Sequence, residues 1–108
     1  MNATELETAL RSEFHALYGA RGFPRATEVE VISRENTGGG RYLGVSAPHT
    51  AAIDDGHYDL GGKFIQMQGI PHGMMAIAWV RGGQLREIEI TVYGGDSWNG
   101  EERAWSLR

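Results

Sequence analysis

The stretch MMAIAWV, from Met74 to Val80, has no polar residue among its seven side chains. Such a run between glycine-rich turns is typical of a strand that is covered on both faces. We therefore predict a central strand over 74–80. The small side chains of Ala76 and Ala78 leave room for a helix on one face. The other face, which carries Ile77 and Trp79, should meet a curled sheet or a second subunit.

The flanking residues predict more antiparallel strands around this one. Beyond the turn at Gly82-Gly83, the segment 85–93 alternates apolar and polar residues, with Glu87 and Glu89 pointing away from the core. Glycines 38–40 indicate a second hairpin turn, because consecutive glycines adopt positive φ without steric cost. Residues 48–62 show no periodicity and are expected to be irregular. The predicted strands cover about 28–34, 41–47, 63–69, 74–80 and 85–93, with 104–107 as a candidate sixth strand.

The N-terminal segment predicts an amphipathic helix over about 4–18. Thr4 and Glu7 have the spacing of a capping box. Apolar residues follow at spacings of four, four and three and form one stripe, namely Leu6, Leu10, Phe14 and Leu17. The fold class is therefore α+β: one N-terminal amphipathic helix packed on a curved antiparallel sheet of five to six strands, in a single domain of residues 1–108.

Composition excludes several classes of protein. The chain has 108 residues, 14 acidic against 10 basic side chains and no cysteine. A net charge of −4 argues against nucleic acid as the main partner, because phosphate binding needs an excess of Lys and Arg. No apolar stretch is long enough for a membrane span. Residues 1–10 have no basic leader, so we expect a cytoplasmic protein.

Three segments together resemble a family of small uncharacterised bacterial proteins. They are Arg34-Glu35-Asn36-Thr37-Gly38-Gly39-Gly40, the stretch from Gly69-Ile70-Pro71-His72-Gly73 to Gly83, and the stretch from Glu87 to Trp98. The likeness covers about residues 34–98, with departures at Gly83 and Asn99, where the family has Asp-Gly and Pro. The resemblance implies a shared fold and, because no activity is known for the family, no chemistry.

Two groups of side chains could bind a partner or a ligand. Glu87 and Glu89 form an acidic patch that could face a basic protein, and Trp98 and Tyr93 are aromatic residues of the kind found at interaction hot spots. A second group is polar and lies in or beside predicted loops and turns, comprising His57, Asp55, His72, Arg34 and Arg41. The two arginines flank the turn at 38–40 and could clamp a carboxylate or a phosphate.

No catalytic motif, cofactor motif or metal-ligand spacing accompanies these residues, so we expect no cofactor and no metal. Our leading hypothesis is a small acidic binding module, for example an immunity-type inhibitor of a partner protein, and not an enzyme. The alternative is a small-ligand-binding or enzymatic domain that uses loop 48–62 and His72. A homodimer that buries the second sheet face is a third hypothesis.

Overall fold

The computed structural model describes residues 1–108 and contains one α-helix and one open antiparallel sheet of seven strands. Helix α1 spans Glu5–Tyr18, and short 3₁₀ segments follow at Gly19–Arg21 and Ala26–Glu28. The strands are β1 (Glu30–Asn36), β2 (Gly40–Ser46), β3 (Gly56–Tyr58), β4 (Ile65–Met67), β5 (Ile70–Arg81), β6 (Gln84–Val92) and β7 (Trp105–Leu107). The predicted α+β fold class is confirmed.

Strand β5 is the centre of the sheet, as the apolar run predicts. The strand order is β1-β2-β6-β5-β4-β7, and β6 lies along one edge of β5. Two short strands share the other edge: β4 pairs near Met74, whereas β3 pairs near Trp79. All of these pairings are antiparallel. No helix of the protein has the length and apolar character that crossing a membrane requires.

Two predicted loop regions contain strands. Residues 48–62 were expected to be irregular, yet β3 lies within them because its backbone pairs with the end of β5. The predicted strands 63–69 and 74–80 leave residues 70–73 outside any strand, but β5 begins at Ile70 and the turn lies at Gln68-Gly69. The pairing register between β4 and β5 shifts between Ile65 and Met67, so β5 accommodates extra residues there and continues.

The core lies between α1 and one face of the sheet. Met74, Ala76, Ala78 and Val80 are all buried, as predicted, and the neighbouring strand β6 adds Leu85, Ile88 and Ile90 to the same cluster. From the helix, the cluster includes Leu6, Leu10 and Phe14. Leu17 departs from the predicted stripe: its side chain is 38% exposed and lies against Gly61. The helix ends one residue later, at Tyr18.

The opposite face of the sheet, which we call the outer face, is only partly covered. Its side chains in β5 are Met75, Ile77 and Trp79, and all three are half-buried. In β6 the outer face carries Glu87 and Glu89, directly opposite Trp79 and Ile77. The expectation that the apolar run is covered on both faces is therefore wrong for the single chain. Cross-strand contacts between the outer side chains provide the partial burial.

The turn between β1 and β2 is the predicted glycine hairpin, and it contacts β6 closely. Gly39 accepts a backbone hydrogen bond from Val92 at 3.0 Å, and Gly38 accepts one from Trp98 at 2.8 Å. A Cβ atom added to Gly40 would lie 1.9 Å from the carbonyl oxygen of Ile90. Gly40 is thus required because the backbones of β2 and β6 approach each other there.

The Gly40→Ala variant should lose about 1–3 kcal/mol of unfolding free energy, because the added methyl group must displace the β6 backbone. The measurement is equilibrium urea denaturation. Gly39→Ala is the matched control, since nothing lies within 4 Å of a Cβ atom built there. Equal stability of the two variants would contradict the close approach of β2 and β6.

Candidate functional site

Four charged side chains form a cluster between α1, the sheet and the C-terminal segment. Glu7 is 0% exposed and receives Arg34 at 2.5 and 2.6 Å, one guanidinium nitrogen to each carboxylate oxygen. Arg41, 3% exposed, donates to Glu7 at 3.0 Å and to Glu102 at 2.6 Å. Arg34 and Arg41 do clamp a carboxylate, but it belongs to the chain itself. The two guanidinium groups therefore hold α1 against β1 and β2.

Trp98 closes this cluster and is not an exposed aromatic residue. It is buried, and its indole nitrogen donates to the carbonyl of Glu101 at 2.8 Å. The guanidinium carbon of Arg41 lies 4.6 Å from the centre of the Trp98 ring, a cation–π contact. Arg41 also donates to Asn36 and to the carbonyl of Gly100. Trp98 is therefore a core side chain whose ring covers a buried cation.

The electrostatics of Glu7 follow from these contacts. Burial alone would raise its pKa, but the hydrogen bonds from Arg34 and the Thr4 backbone, with the charges of Arg34 and Arg41, outweigh burial and lower the pKa. The hydrogen bond with Glu7 in turn raises the pKa of Arg34. Glu7 also completes the predicted capping box with Thr4. One carboxylate therefore caps the helix and anchors it to the sheet.

On the outer face, β1, β2 and β6 place polar and aromatic side chains side by side. Tyr42, whose side chain is 43% exposed, stands directly between Glu35 of β1 and Glu89 of β6 in the cross-strand register. In the next row Gly44 lies between Ser33 and Glu87. A depression of about 630 Å³ follows these rows and is lined by Ser33, Arg34, Glu35, Tyr42, Gly44 and Glu87.

None of the carboxylates of Glu35, Glu87 and Glu89 takes part in an ion pair. Glu87 and Glu89 lie on β6, and Glu35 lies on β1, with β2 between the two strands. Beside them lies apolar surface from Ile77, and the exposed Ile32 adds to the edge at β1. The predicted residues Glu87 and Glu89 thus belong to one mixed acidic and apolar surface.

The far end of the outer face is occupied by aromatic and basic groups. The His57 ring lies 5.5 Å from the Trp79 ring, and Arg81 lies over Trp79 at 5.7 Å. Asp55 anchors the loop before β3 to the turn between β5 and β6. Its carboxylate accepts hydrogen bonds from the backbone N–H groups of Gly82 and Gly83, both at 2.9 Å. The bonds from Gly83 and Gly82 lower the pKa of Asp55.

His72 lies elsewhere, at the start of β5. Its Nδ1 and its backbone N–H both bond Oδ2 of Asp96, at 3.1 and 3.2 Å. It lines a depression of about 770 Å³ that contains no residue of loop 48–62. His57 of loop 48–62 pairs with Trp79. Along β5, Trp79 lies seven residues after His72, which is roughly 20 Å in a strand. The structure therefore does not bring loop 48–62 and His72 together. Tyr93, another predicted site residue, is an exposed side chain directly after β6.

Sequence reasoning missed Glu7 and Glu102 as members of the charge cluster and Asp96 as the partner of His72. Only Glu7 had a detectable signal, its capping-box spacing with Thr4, and that signal concerns the helix alone. No group of three or more His, Asp or Glu side chains has the geometry to hold a metal ion.

Comparisons with protein-family models, with curated proteins and with solved structures gave no match. The resemblance of residues 34–98 to a bacterial family therefore stays a prediction. The class that the structure itself defines is an α+β domain with one covered and one partly open sheet face.

Proposed function

We propose that this protein is a binding module whose outer face docks a basic protein partner. The observation that carries the proposal is the position of Tyr42, an exposed aromatic ring held between Glu35 and Glu89 on a face with further apolar side chains. Aromatic residues are enriched at interface hot spots, and unpaired carboxylates around them steer and select a positively charged partner. An immunity-type inhibitor of a basic enzyme would use such a surface.

A basic partner suits this face better than a second copy of the chain. Two outer faces packed about an axis at Glu87 and Glu89 would bring these residues near their own counterparts, and like charges across an interface oppose association. A lysine or arginine from a partner would instead neutralise these carboxylates and contact the Tyr42 ring. The enzymatic alternative has less support, because loop 48–62 and His72 are far apart along β5.

The test is affinity capture from extracts of the source cell with two charge-reversal variants, followed by binding measurements on the purified partner. Glu87→Lys/Glu89→Lys should weaken binding of a basic partner at least about tenfold, and rising salt should weaken the wild-type complex. Glu5→Lys/Glu101→Lys is the matched control: it changes the net charge equally, at exposed residues outside the outer face. This control should retain the partner.

Two outcomes would contradict the proposal. One is a partner retained equally by both charge-reversal variants, which would place the contact elsewhere on the chain. The other is a homodimer in light scattering that Glu87→Lys/Glu89→Lys dissociates, which would make a second copy the occupant of the outer face.

A further inference from the structure

The side chain of His72 is exposed and yet held in one orientation. It is 63% exposed, and both its Nδ1 and its backbone N–H bond the same oxygen of Asp96. Because a carboxylate only accepts hydrogen bonds, Nδ1 donates, and Nε2 of the neutral ring remains as a free acceptor.

The turn after β6 contacts the His72 ring closely. Gly94 lies directly against the imidazole: a Cβ atom built there would lie 2.6 Å from Nδ1 and 2.7 Å from Cγ of His72. Its φ of +69° is also one that side-chain-bearing residues rarely adopt. A single turn, distant in sequence from His72, therefore positions the ring through both Gly94 and Asp96.

The depression beside His72 is large, and its lining has little formal charge. Its volume is about 770 Å³, within the range of small-molecule sites. Its polar side chains are Gln66, Gln68, His72 and Ser106, and none of its lining residues is Asp, Glu, Lys or Arg. Gln66 and Ser106 are cross-strand partners in β4 and β7, so they point to the same side of the sheet.

We propose that this depression binds an uncharged, hydroxyl-rich ligand of the saccharide class. Hydroxyl groups both donate and accept hydrogen bonds, as do the amides of Gln66 and Gln68. Phe64 lines the same depression and supplies aromatic surface for the C–H groups of a sugar ring. An anion would find no lysine or arginine in the lining, and a cation would find no carboxylate there.

This inference concerns a different region of the sheet from Tyr42, Glu87 and Glu89 and does not depend on the proposed function. The lining belongs to β4, β7, the start of β5 and the turns beside them, whereas Tyr42, Glu87 and Glu89 lie in β2 and β6. Either proposal can therefore fail without the other.

The test is a titration of the ¹⁵N-labelled full chain, followed by amide and imidazole NMR shifts. The probes are maltotriose, cellotriose and chitotriose, with inorganic phosphate and free lysine as charged comparators. At least one trisaccharide at millimolar concentration should shift the resonances of 66–73 and 104–106 and of the His72 ring. No shift with any of the three, or shifts with phosphate or lysine alone, would overturn the proposal.

Variants then test which side chains bind the probe. His72→Ala and Gln66→Ala should each weaken the responding trisaccharide about tenfold, because each removes a hydrogen-bonding group from the site. His57→Ala, which removes another exposed imidazole, should leave its affinity unchanged, as should Glu87→Lys/Glu89→Lys. Unchanged affinity in both His72→Ala and Gln66→Ala would contradict the assignment even if a sugar binds the protein.

Discussion

Replacing Glu7 by alanine should lower the free energy of unfolding by about 3–5 kcal/mol. Removing one partner of a buried ion pair leaves the other charge buried and uncompensated. The variant would leave the buried guanidinium of Arg41 with Glu102 as its only carboxylate and would deprive Arg34 of its carboxylate partner. It would also remove half of the capping box at Thr4. Against a total stability of about 5–15 kcal/mol, this loss brings the chain near unfolding.

Urea denaturation at neutral pH measures this loss, and Glu5→Ala is the matched control. Glu5 is an exposed acidic residue in the same first turn of α1, so its removal should change stability by about 0.5 kcal/mol or less. Similar stability of the two variants would contradict the anchoring role of Glu7.

The same contacts make stability depend on pH. The pKa of Glu7 is lowered in the folded chain, so the unfolded chain binds the proton more readily and folding is favoured above the unfolded pKa. Glu7 therefore contributes stability that is present above about pH 5 and is lost as the pH falls through its folded pKa. The Glu7→Gln variant should show a shallower loss of stability on acidification, whereas parallel curves would assign the pH dependence to other carboxylates.

Features that depend on neighbouring residues could be predicted from the sequence. The helix follows from the capping box and the spacing of Leu6, Leu10 and Phe14, and the structure has it at Glu5–Tyr18. The central strand follows from the uninterrupted apolar run, and the turn between β1 and β2 follows from consecutive glycines. In each case the physical cause lies within one segment, so a single sequence contains it.

Features that require distant segments to meet could not be predicted in this way. The charge cluster joins Glu7, Arg34, Arg41 and Glu102, and no spacing in the chain indicates that these four side chains are neighbours. Trp98 lies in a polar segment, and its burial becomes intelligible only once Arg41 is known to lie beside its ring. Strand β3 exists because β5 offers an edge for pairing, and its own residues show no strand pattern.

The covering of the two sheet faces shows a further limit of pattern reasoning. An apolar run predicts that both faces of a strand avoid water, but it does not distinguish cover by the same chain from cover by a partner. Here α1 covers the side of Ala76 and Ala78, and the side of Ile77 and Trp79 stays half-buried. That remaining apolar surface, beside unpaired carboxylates, is the physical basis for proposing a partner there.

Adjacent aspartate substitutions in β5 should therefore have very different effects. Ala78→Asp would place a carboxylate in the core, where Ala78 is fully buried, and an unpaired buried charge costs several kcal/mol, comparable to the whole stability of the domain. Ile77→Asp would place the same group on the half-buried outer face opposite Glu89 and should cost about 1–2 kcal/mol, from partial loss of apolar burial and like-charge repulsion. Circular dichroism with urea denaturation measures both, and Ile77→Val is the control for a change of shape alone. A folded Ala78→Asp with near wild-type stability would show that the core does not lie on the side of β5 that faces α1.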